Sequence, residues 1–236
     1  MFVPKKITKE VLKASFSAAY PVMLGYIASG IPCGILSASV GMNWIQVLMF
    51  SVCFYSGAGQ FMIPNMFLSG SNLLSIVGSV SFVNTRQVLY SAALAPKCRE
   101  CGKRKLFWYM ATVTDETFGI SIEKFNEGNW TVENAIFLNE FSHLAWTSAN
   151  LLGVLVGNII SIPLEVAAFA MTSLFIYLLT TALDSKPALV AAAFSILSVI
   201  VLKSFGAGSA SIFFASIIGV GFGYLSTKRF NRKVVA

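Results

Sequence analysis

Charged residues are scarce in this sequence. Asp, Glu, Lys and Arg make up 11% of its 236 residues, whereas 56% are hydrophobic. Soluble domains carry about a quarter charged residues, so this composition excludes an ordinary water-exposed surface. From Ala14 to Pro96 the one charged residue is Arg86. Because roughly 20 apolar residues cross a hydrocarbon core as a helix, runs of this length predict an all-α polytopic membrane protein.

The sequence also has little of what an enzyme or a metal site needs. It holds one histidine, His143, and no Walker loop, dinucleotide fingerprint or nucleophile triad. Cys98 and Cys101 form a single CxxC pair, which supplies two ligands where structural zinc needs four. We therefore expect no enzymatic activity, no cofactor, no metal and no ATP hydrolysis. The CxxC pair is interpreted as two reduced cytosolic thiols, with a redox or metal role as the alternative.

The basic residues are confined to three clusters that flank apolar runs. The formal net charge of +7 could by itself indicate nucleic-acid binding. Cytoplasmic loops carry such clusters under the positive-inside rule, so we expect a lipid bilayer and no nucleic acid as partner. Both termini are predicted to be cytoplasmic, in a multi-pass protein of the bacterial inner membrane whose first span is not a cleaved signal peptide. The clusters are Lys5, Lys6, Lys9 and Lys13; Lys97, Arg99, Lys103, Arg104 and Lys105; and Lys228, Arg229, Arg232 and Lys233.

Apolar runs and helix breakers divide the chain into eight helical elements. Since the first two basic clusters should lie on one side, an even number of crossings must separate them, so one of the first three elements should fail to cross. With the fourth element crossing outward, the C-terminal cluster returns to that side if three of the last four elements cross. The total is about six crossings, with one re-entrant or broken element in each half. The elements span residues 16–40, 44–68, 72–95, 106–123, 134–159, 163–183, 187–203 and 207–226.

The opening element is the first choice for the broken one, because it contains Pro21, Pro32 and three glycines. The rival is the small-residue run that begins at Ser56, with Pro64 nearby. Unwound backbone in a bilayer has to be sheltered by protein or by a water-filled cavity, and in transporters it often marks the substrate site.

Three crossings that begin inside, followed by three that begin outside, are typical of an inverted repeat. The chain is interpreted as one membrane transporter domain, residues 1–236, with candidate repeat halves at 14–125 and 132–227. Sequence support for the repeat is loose. Gly30 and Gly34 precede Phe54 much as Gly153 and Gly157 precede Phe175, but this glycine spacing is common wherever membrane helices pack closely.

Three ionisable residues are predicted to meet in the middle of the membrane. Arg86 lies ten residues before Pro96, and Asp115 lies ten residues after Lys105. At about 1.5 Å per residue both are roughly 15 Å deep. Adjacent residues on a helix point about 100° apart, so either Asp115 or Glu116 can face Arg86 and the other is free. Charges at this depth favour a functional role, in which Arg86 holds a substrate carboxylate and an acidic neighbour binds the coupling proton. The alternative is an ion pair that only locks the helices together.

Other polar residues have two interpretations each. Glu140 and His143 share a helix face, which suits a proton relay or hydrogen-bonded packing; a di-iron site is disfavoured because the chain lacks a second histidine. The run from Ser56 to Gln60 is either a close-packing segment or a bent element whose amides contact the substrate.

Four stretches taken together resemble the AzlC family, the large subunit of branched-chain amino acid exporters. The resemblance runs from about residue 14 to 125 and implies export of leucine, isoleucine and valine, with methionine as a further candidate, and a small membrane partner of the AzlD type. Where the family has Pro-Phe-Gly this chain has Pro32-Cys33-Gly34, and residues 55–59 also depart from the family pattern, so the substrate stays open. The stretches are Pro21 with Gly30-Ile31-Pro32-Cys33-Gly34, the run Phe54 to Phe61, the run Asn84 to Ser91, and Thr114-Asp115-Glu116.

Our first hypothesis is a secondary amino-acid exporter that works by alternating access as a proton antiporter. A passive channel for a small polar solute and an assembly subunit of a membrane complex are the alternatives. The residues assigned to the substrate are Gly30, Pro32, Gly34, Ser56, Gly57, Gln60, Asn84, Arg86 and Tyr90, and those assigned to the proton are Asp115, Glu116, Glu140 and His143.

Overall fold

The computed structural model describes residues 8–98, 101–128, 130–159, 185–206 and 210–234, together with a few positions between 169 and 183. Helices account for nearly all of this part, and no strand occurs in it. The predicted element at 163–183 and the basic residues Lys5, Lys6 and Arg99 fall largely or wholly outside it. The helices are α1 Lys9–Ser39, α2 Trp44–Cys53, α3 Gly57–Leu68, α4 Leu73–Leu94, α5 Lys103–Ala111, α6 Asp115–Glu127, α7 Val132–Ile159, α8 Lys186–Ser204 and α9 Ala210–Val234, with a 3₁₀ helix at Ala95–Cys98.

Two of these helices, α1 and α8, are both long enough and apolar enough to cross a bilayer. With 31 residues, α1 is about 46 Å long at about 1.5 Å per residue. The helix α2 is also apolar but has only 10 residues, which is too short to cross. The prediction of an all-α membrane protein is confirmed.

The opening element is one unbroken helix, so the expectation that it breaks is wrong. Pro21 and Pro32 both lie inside α1. A proline removes one backbone donor, and neighbouring helices can compensate for this in a membrane protein. Here α1 packs along α7 from Val11, whose carbonyl accepts a bond from Asn134 at 3.3 Å, to the far end near Gly34. Packing along this face accompanies a helix that continues through both prolines.

The break in the first half lies instead at residues 54–56, between α2 and α3, at the rival position. The amide of Phe54 bonds the Phe50 carbonyl and ends α2. Ser56 adopts extended backbone and caps α3 by accepting the Gly59 amide at 3.1 Å. The run from Ser56 to Gln60 therefore begins at a break: Ser56 is the cap, and Gly57 to Gln60 form the first turn of α3. Contact of its amides with a substrate stays a prediction.

A second break, at residues 112–114, divides the fourth element, for which the sequence predicts one outward crossing over 106–123. The helix α5 ends after Ala111, and Thr114 begins α6 through a capping box with Thr117. Thr112, Val113 and Thr114 are all β-branched, and such residues lower helix propensity.

Contacts at the ends of α5 and α6 bring the chain back to the side from which it came. Lys105, in the first turn of α5, pairs with Glu133 at 3.0 Å, and Lys97 donates to Asn126, in the last turn of α6, at 2.9 Å. The start of α5 thus lies beside the start of α7, and the end of α6 lies beside the end of α4, so α5 and α6 form a hairpin that returns to the end of the first unit where it began. The Asn134 bond to Val11 places the start of α1 at this same end, which we call the basic end. The even number of crossings expected before residue 97 stays a prediction.

The described residues divide into two compact units. The first contains α1, α2, α3, the part of α4 from Val83, α5, α6 and α7. In the second, α8 and α9 pack antiparallel: Phe194 stacks on Phe222 at 3.9 Å between ring centroids, and Gly223 packs against Ala191.

Within the first unit, α1 and α7 run in the same direction along a shared seam. Phe16 packs edge-on against Phe141, and further along Gly34 packs against Gly153. An inverted repeat requires opposite directions for corresponding helices, and α1 and α7 are the first helices of the two candidate halves. The repeat thus finds no support in this pair and stays a prediction.

Candidate functional site

The predicted ion pair is present. Arg86 on α4 approaches Asp115, the first residue of α6, with 2.7 Å between Nη1 and Oδ2. The two side chains are 27% and 19% exposed. Tyr90, one turn after Arg86, donates its hydroxyl to the other oxygen of Asp115. Asp115 is thereby fully engaged by α4, and it also compensates the positive end of the α6 dipole.

Glu116 points elsewhere, as adjacent residues on a helix must. Its Oε2 accepts the hydroxyl of Tyr26 on α1 at 2.7 Å. The same hydroxyl lies 2.6 Å from the Thr114 side-chain oxygen. The first turn of α6 therefore holds α4 through one carboxylate and α1 through the other.

Tyr26 was missed at the sequence level, although a signal for it exists. The buried face of α1 recurs at spacings of three and four residues, and Tyr26 is the one phenol on it. Its buried neighbours on that face are small, polar or aliphatic. A single phenol on such a face is therefore the sequence signal that could have identified Tyr26 as a candidate site residue. The buried residues of α1 are Ser15, Ala19, Val22, Tyr26, Gly30, Cys33, Gly34, Ile35, Leu36 and Ser37.

The first break is tied to α4 and α7. Ser56 donates to the Asn84 side chain at 2.6 Å, and Gln87 donates to the Tyr55 carbonyl at 3.3 Å. Gln60, which is fully buried, accepts the indole N–H of Trp146. The sequence-predicted residues Ser56, Gln60 and Asn84 are therefore near one another, at the start of α3.

Glu140 and His143 on α7 face different partners. Glu140 accepts the indole N–H of Trp108 on α5, whereas a ring nitrogen of His143 lies 3.0 Å from the Ser51 carbonyl in the last turn of α2. His143 also stacks on Tyr55 at 4.1 Å. The pair makes no common site, and no group of three or more metal ligands occurs among the described residues. Of the earlier interpretations, hydrogen-bonded packing is the one that these contacts support.

The two breaks meet at Tyr26. Its ring lies 6.5 Å from that of Tyr55, in the first break, and 5.4 Å from that of Trp146. Its hydroxyl contacts Thr114, in the second break. We call this region, residues 54–56 and 112–114 with Tyr26, the double break.

The two helices that begin at the double break differ in charge. The first turn of α6 carries Asp115 and Glu116, whereas the first turn of α3 carries no acidic residue. Both helix N-termini present a positive dipole end. Two donors nearby, Gln60 Nε2 and Arg86 Nε, are buried and have no hydrogen-bond partner within the described residues. An anion would find unmatched positive potential at α3 and not at α6.

Gly30 and Gly34 lie apart from these groups, in the seam between α1 and α7. A Cβ on Gly30 would come within 2.7 Å of the Ala149 side chain, and one on Gly34 would overlap the Asn150 carbonyl. Pro32 lies between them on the same helix. These contacts make the two glycines packing positions, and their assignment to the substrate gains no support.

Comparisons with known proteins agree with the sequence resemblance. The family model described as AzlC protein matches residues 21–160, which include both breaks. An uncharacterized membrane protein of Helicobacter pylori (strain ATCC 700392 / 26695) is 29% identical over 174 residues, which are 72% of this chain and 75% of that protein. An uncharacterized membrane protein of Archaeoglobus fulgidus is 26% identical over 176 residues, 71% of this chain and 74% of that protein. Inner membrane protein YgaZ of Escherichia coli (strain K12) is 26% identical over 176 residues, 72% of each chain. No solved structure matches. This chain therefore belongs to the AzlC family of membrane proteins.

Proposed function

We propose that this protein is a secondary transporter that exports branched-chain amino acids across the inner membrane by proton antiport, together with a small AzlD-type subunit. The observation that carries the proposal is the meeting of two helix breaks at Tyr26. A membrane protein tolerates unwound backbone only where protein or a water-filled cavity shelters it, and transporters place their substrates at such breaks.

The substrate carboxylate binds at the first turn of α3. The amides of Gly57 and Ala58 begin this helix, Ser56 and Gln60 lie beside them, and the turn has no acidic residue of its own to match its dipole. Arg86 takes a different role from the predicted one, because Asp115 already pairs with its Nη1 and compensates its charge, which leaves Nε as its one buried nitrogen without a hydrogen-bond partner among the described residues. Phe61 and Trp146, whose rings are 6.5 Å apart, are buried here and would line the pocket for a branched side chain once the site opens.

The basic end faces the cytoplasm under the positive-inside rule. Helices α1 and α4, with 31 and 22 residues, are each long enough to cross, so α1 leaves this end and α4 returns to it. The pair α2 and α3 then enters from the opposite side, and α5 and α6 enter from the basic end. Two re-entrant hairpins that meet in mid-membrane give a site that either side can reach in turn.

Efflux of preloaded labelled leucine from proteoliposomes, with the small subunit co-expressed, tests the proposal. We expect efflux that an opposing proton gradient drives. A Gly57→Ala variant should fold, since its Cβ would meet nothing nearer than Trp146 at 3.7 Å, yet the methyl group would cover the first amides of α3. Its KM should rise about tenfold, equivalent to about 1.4 kcal/mol. The matched control is Gly25→Ala on α1, where a Cβ meets nothing within 4 Å and transport should be unchanged.

Other outcomes would point to the alternative functions. If leucine flux stops when the internal and external leucine concentrations are equal, whatever the proton gradient, the protein is a passive channel and not an antiporter. Absence of any flux, for leucine and for other small solutes, would favour an assembly subunit. An unchanged KM in Gly57→Ala would contradict the proposal that the substrate carboxylate binds at the first turn of α3.

A further inference from the structure

We infer that Glu116 carries the coupling proton, with Tyr26 as its positioning residue, and that Asp115 remains ionised as the permanent counter-charge of Arg86. The inference rests on the proposed antiport and selects between two carboxylates that the sequence alone leaves equivalent. It follows from the partners of each one: Asp115 contacts a fixed cation, whereas Glu116 contacts a hydroxyl network.

Asp115 is poorly suited to exchange a proton. Arginine stays charged at all accessible pH values and has no acceptor atom, so a neutral Asp115 would leave the Arg86 charge uncompensated in a partly buried site. The hydroxyl of Tyr90 also donates to Asp115, so both of its carboxylate oxygens already have a donor on α4. A proton that bound here would therefore break an ion pair each time the transporter turned over.

Glu116 can change its charge without moving a heavy atom. When it is ionised, the Tyr26 hydroxyl donates to it, and the Thr114 hydroxyl donates to the Tyr26 oxygen. When it is protonated, Glu116 donates to the Tyr26 oxygen, and the Tyr26 hydroxyl turns to Thr114. Each hydroxyl can donate and accept, so both protonation states of Glu116 keep their hydrogen bonds. One proton enters from water and returns to water, and no other group changes its charge.

The titratable groups that face Glu116 are few. Tyr26 comes from α1, Tyr55 from the first break, and Arg86 and Tyr90 from α4, with Asp115 beside it on α6. On α7, His143 stacks on Tyr55, and Glu140 interacts electrostatically with Tyr55. Within the described residues, no lysine, arginine or histidine comes within ion-pair distance of the Glu116 carboxylate.

The proton also changes how α1 is held to the hairpin. The ionised carboxylate accepts a charge-assisted bond from Tyr26, which is stronger than the neutral bond that replaces it. Protonation of Glu116 therefore loosens the link between α1 and α6 at the double break, next to the start of α3 where the substrate binds. Charge and substrate access are coupled through this one contact.

A comparison of two transport modes tests the inference. Net efflux driven by a proton gradient requires the coupling proton to bind and leave in each cycle. Exchange of internal for external leucine does not require this. Glu116→Gln should keep at least half of the exchange rate and lose more than nine-tenths of the gradient-driven efflux. Asp115→Asn should lose both modes. The control Glu123→Gln changes an exposed glutamate on the same helix and should keep both.

The Tyr26→Phe variant adds a second measurement, the pH dependence of efflux, which would not change if Tyr26 had only a structural role. Without the hydroxyl the ionised carboxylate loses its donor, so the pH of half-maximal efflux should move upward while exchange persists. The control Tyr20→Phe, on the exposed side of α1, should leave the pH profile unchanged. Gradient-driven efflux that survives in Glu116→Gln at an unchanged pH dependence would overturn the inference. A wild-type protein that neither exchanges nor exports leucine would instead overturn the proposed function.

Discussion

Replacing Arg86 by glutamine should abolish leucine efflux and lower the stability of the folded protein. The substitution leaves Asp115 as an unpaired charge in a partly buried position. Loss of one partner from a fully buried ion pair costs about 3–5 kcal/mol. Because the Arg86 and Asp115 side chains are 27% and 19% exposed, we expect a smaller loss of about 2 kcal/mol. Initial efflux rates in proteoliposomes and the midpoint of thermal unfolding in detergent measure the two effects.

The double variant Arg86→Gln with Asp115→Asn separates a functional role of the pair from a structural one. Both charges are then absent, so most of the lost stability should return. Transport should remain below a tenth of wild type, because the charges that surround Glu116 have changed. Full transport by the double variant would show that the ion pair only holds the helices together and has no role in transport. The double variant Lys124→Gln with Glu127→Gln removes an exposed pair on the same α6 and should change neither property.

The Arg86 and Asp115 pair could be predicted from the sequence, because the prediction depends only on counting residues from the ends of one loop. Both residues lie ten positions from the ends of a short loop, and a helix converts residue number into depth. The partners of Glu116 and Gln60 were not accessible in this way. Tyr26 and Trp146 lie 90 and 86 positions away from them along the chain, and nothing in local periodicity relates residues that distant.

The positions of the helix breaks show the same limit. Prolines placed the expected break in α1, because their local cost is known, but packing against α7 compensates for that cost. The break at 112–114 has neither proline nor glycine and went unnoticed. Its three β-branched residues are a weak signal, and the contacts of Lys97 and Lys105 that turn the hairpin back are tertiary. Local propensity predicted most of the helices here, and tertiary contacts determined which of them bend.

Replacing Gly34 by alanine should prevent α1 and α7 from packing. A Cβ at this position would overlap the Asn150 carbonyl and lie 2.9 Å from the Gly153 Cα. Both are backbone atoms, so no side chain can rotate to make room and the two helices must move apart. Overpacking of a core typically costs about 1–3 kcal/mol, and we expect about 3 kcal/mol here because the obstacle is rigid. Thermal unfolding and the monodisperse fraction on gel filtration measure the loss.

The control for this prediction is again Gly25→Ala, nine residues earlier on α1, where the new methyl group meets no atom within 4 Å. Alanine favours a helix more than glycine does, so this variant should be within about 1 kcal/mol of wild type and on the stabilising side. Gly153→Ala places a methyl group against the Ile31 carbonyl across the same seam and should repeat the loss seen at Gly34. If Gly34→Ala folds normally but fails to transport, the glycine belongs to the substrate path, as the sequence first indicated, and the seam is not the reason for its presence.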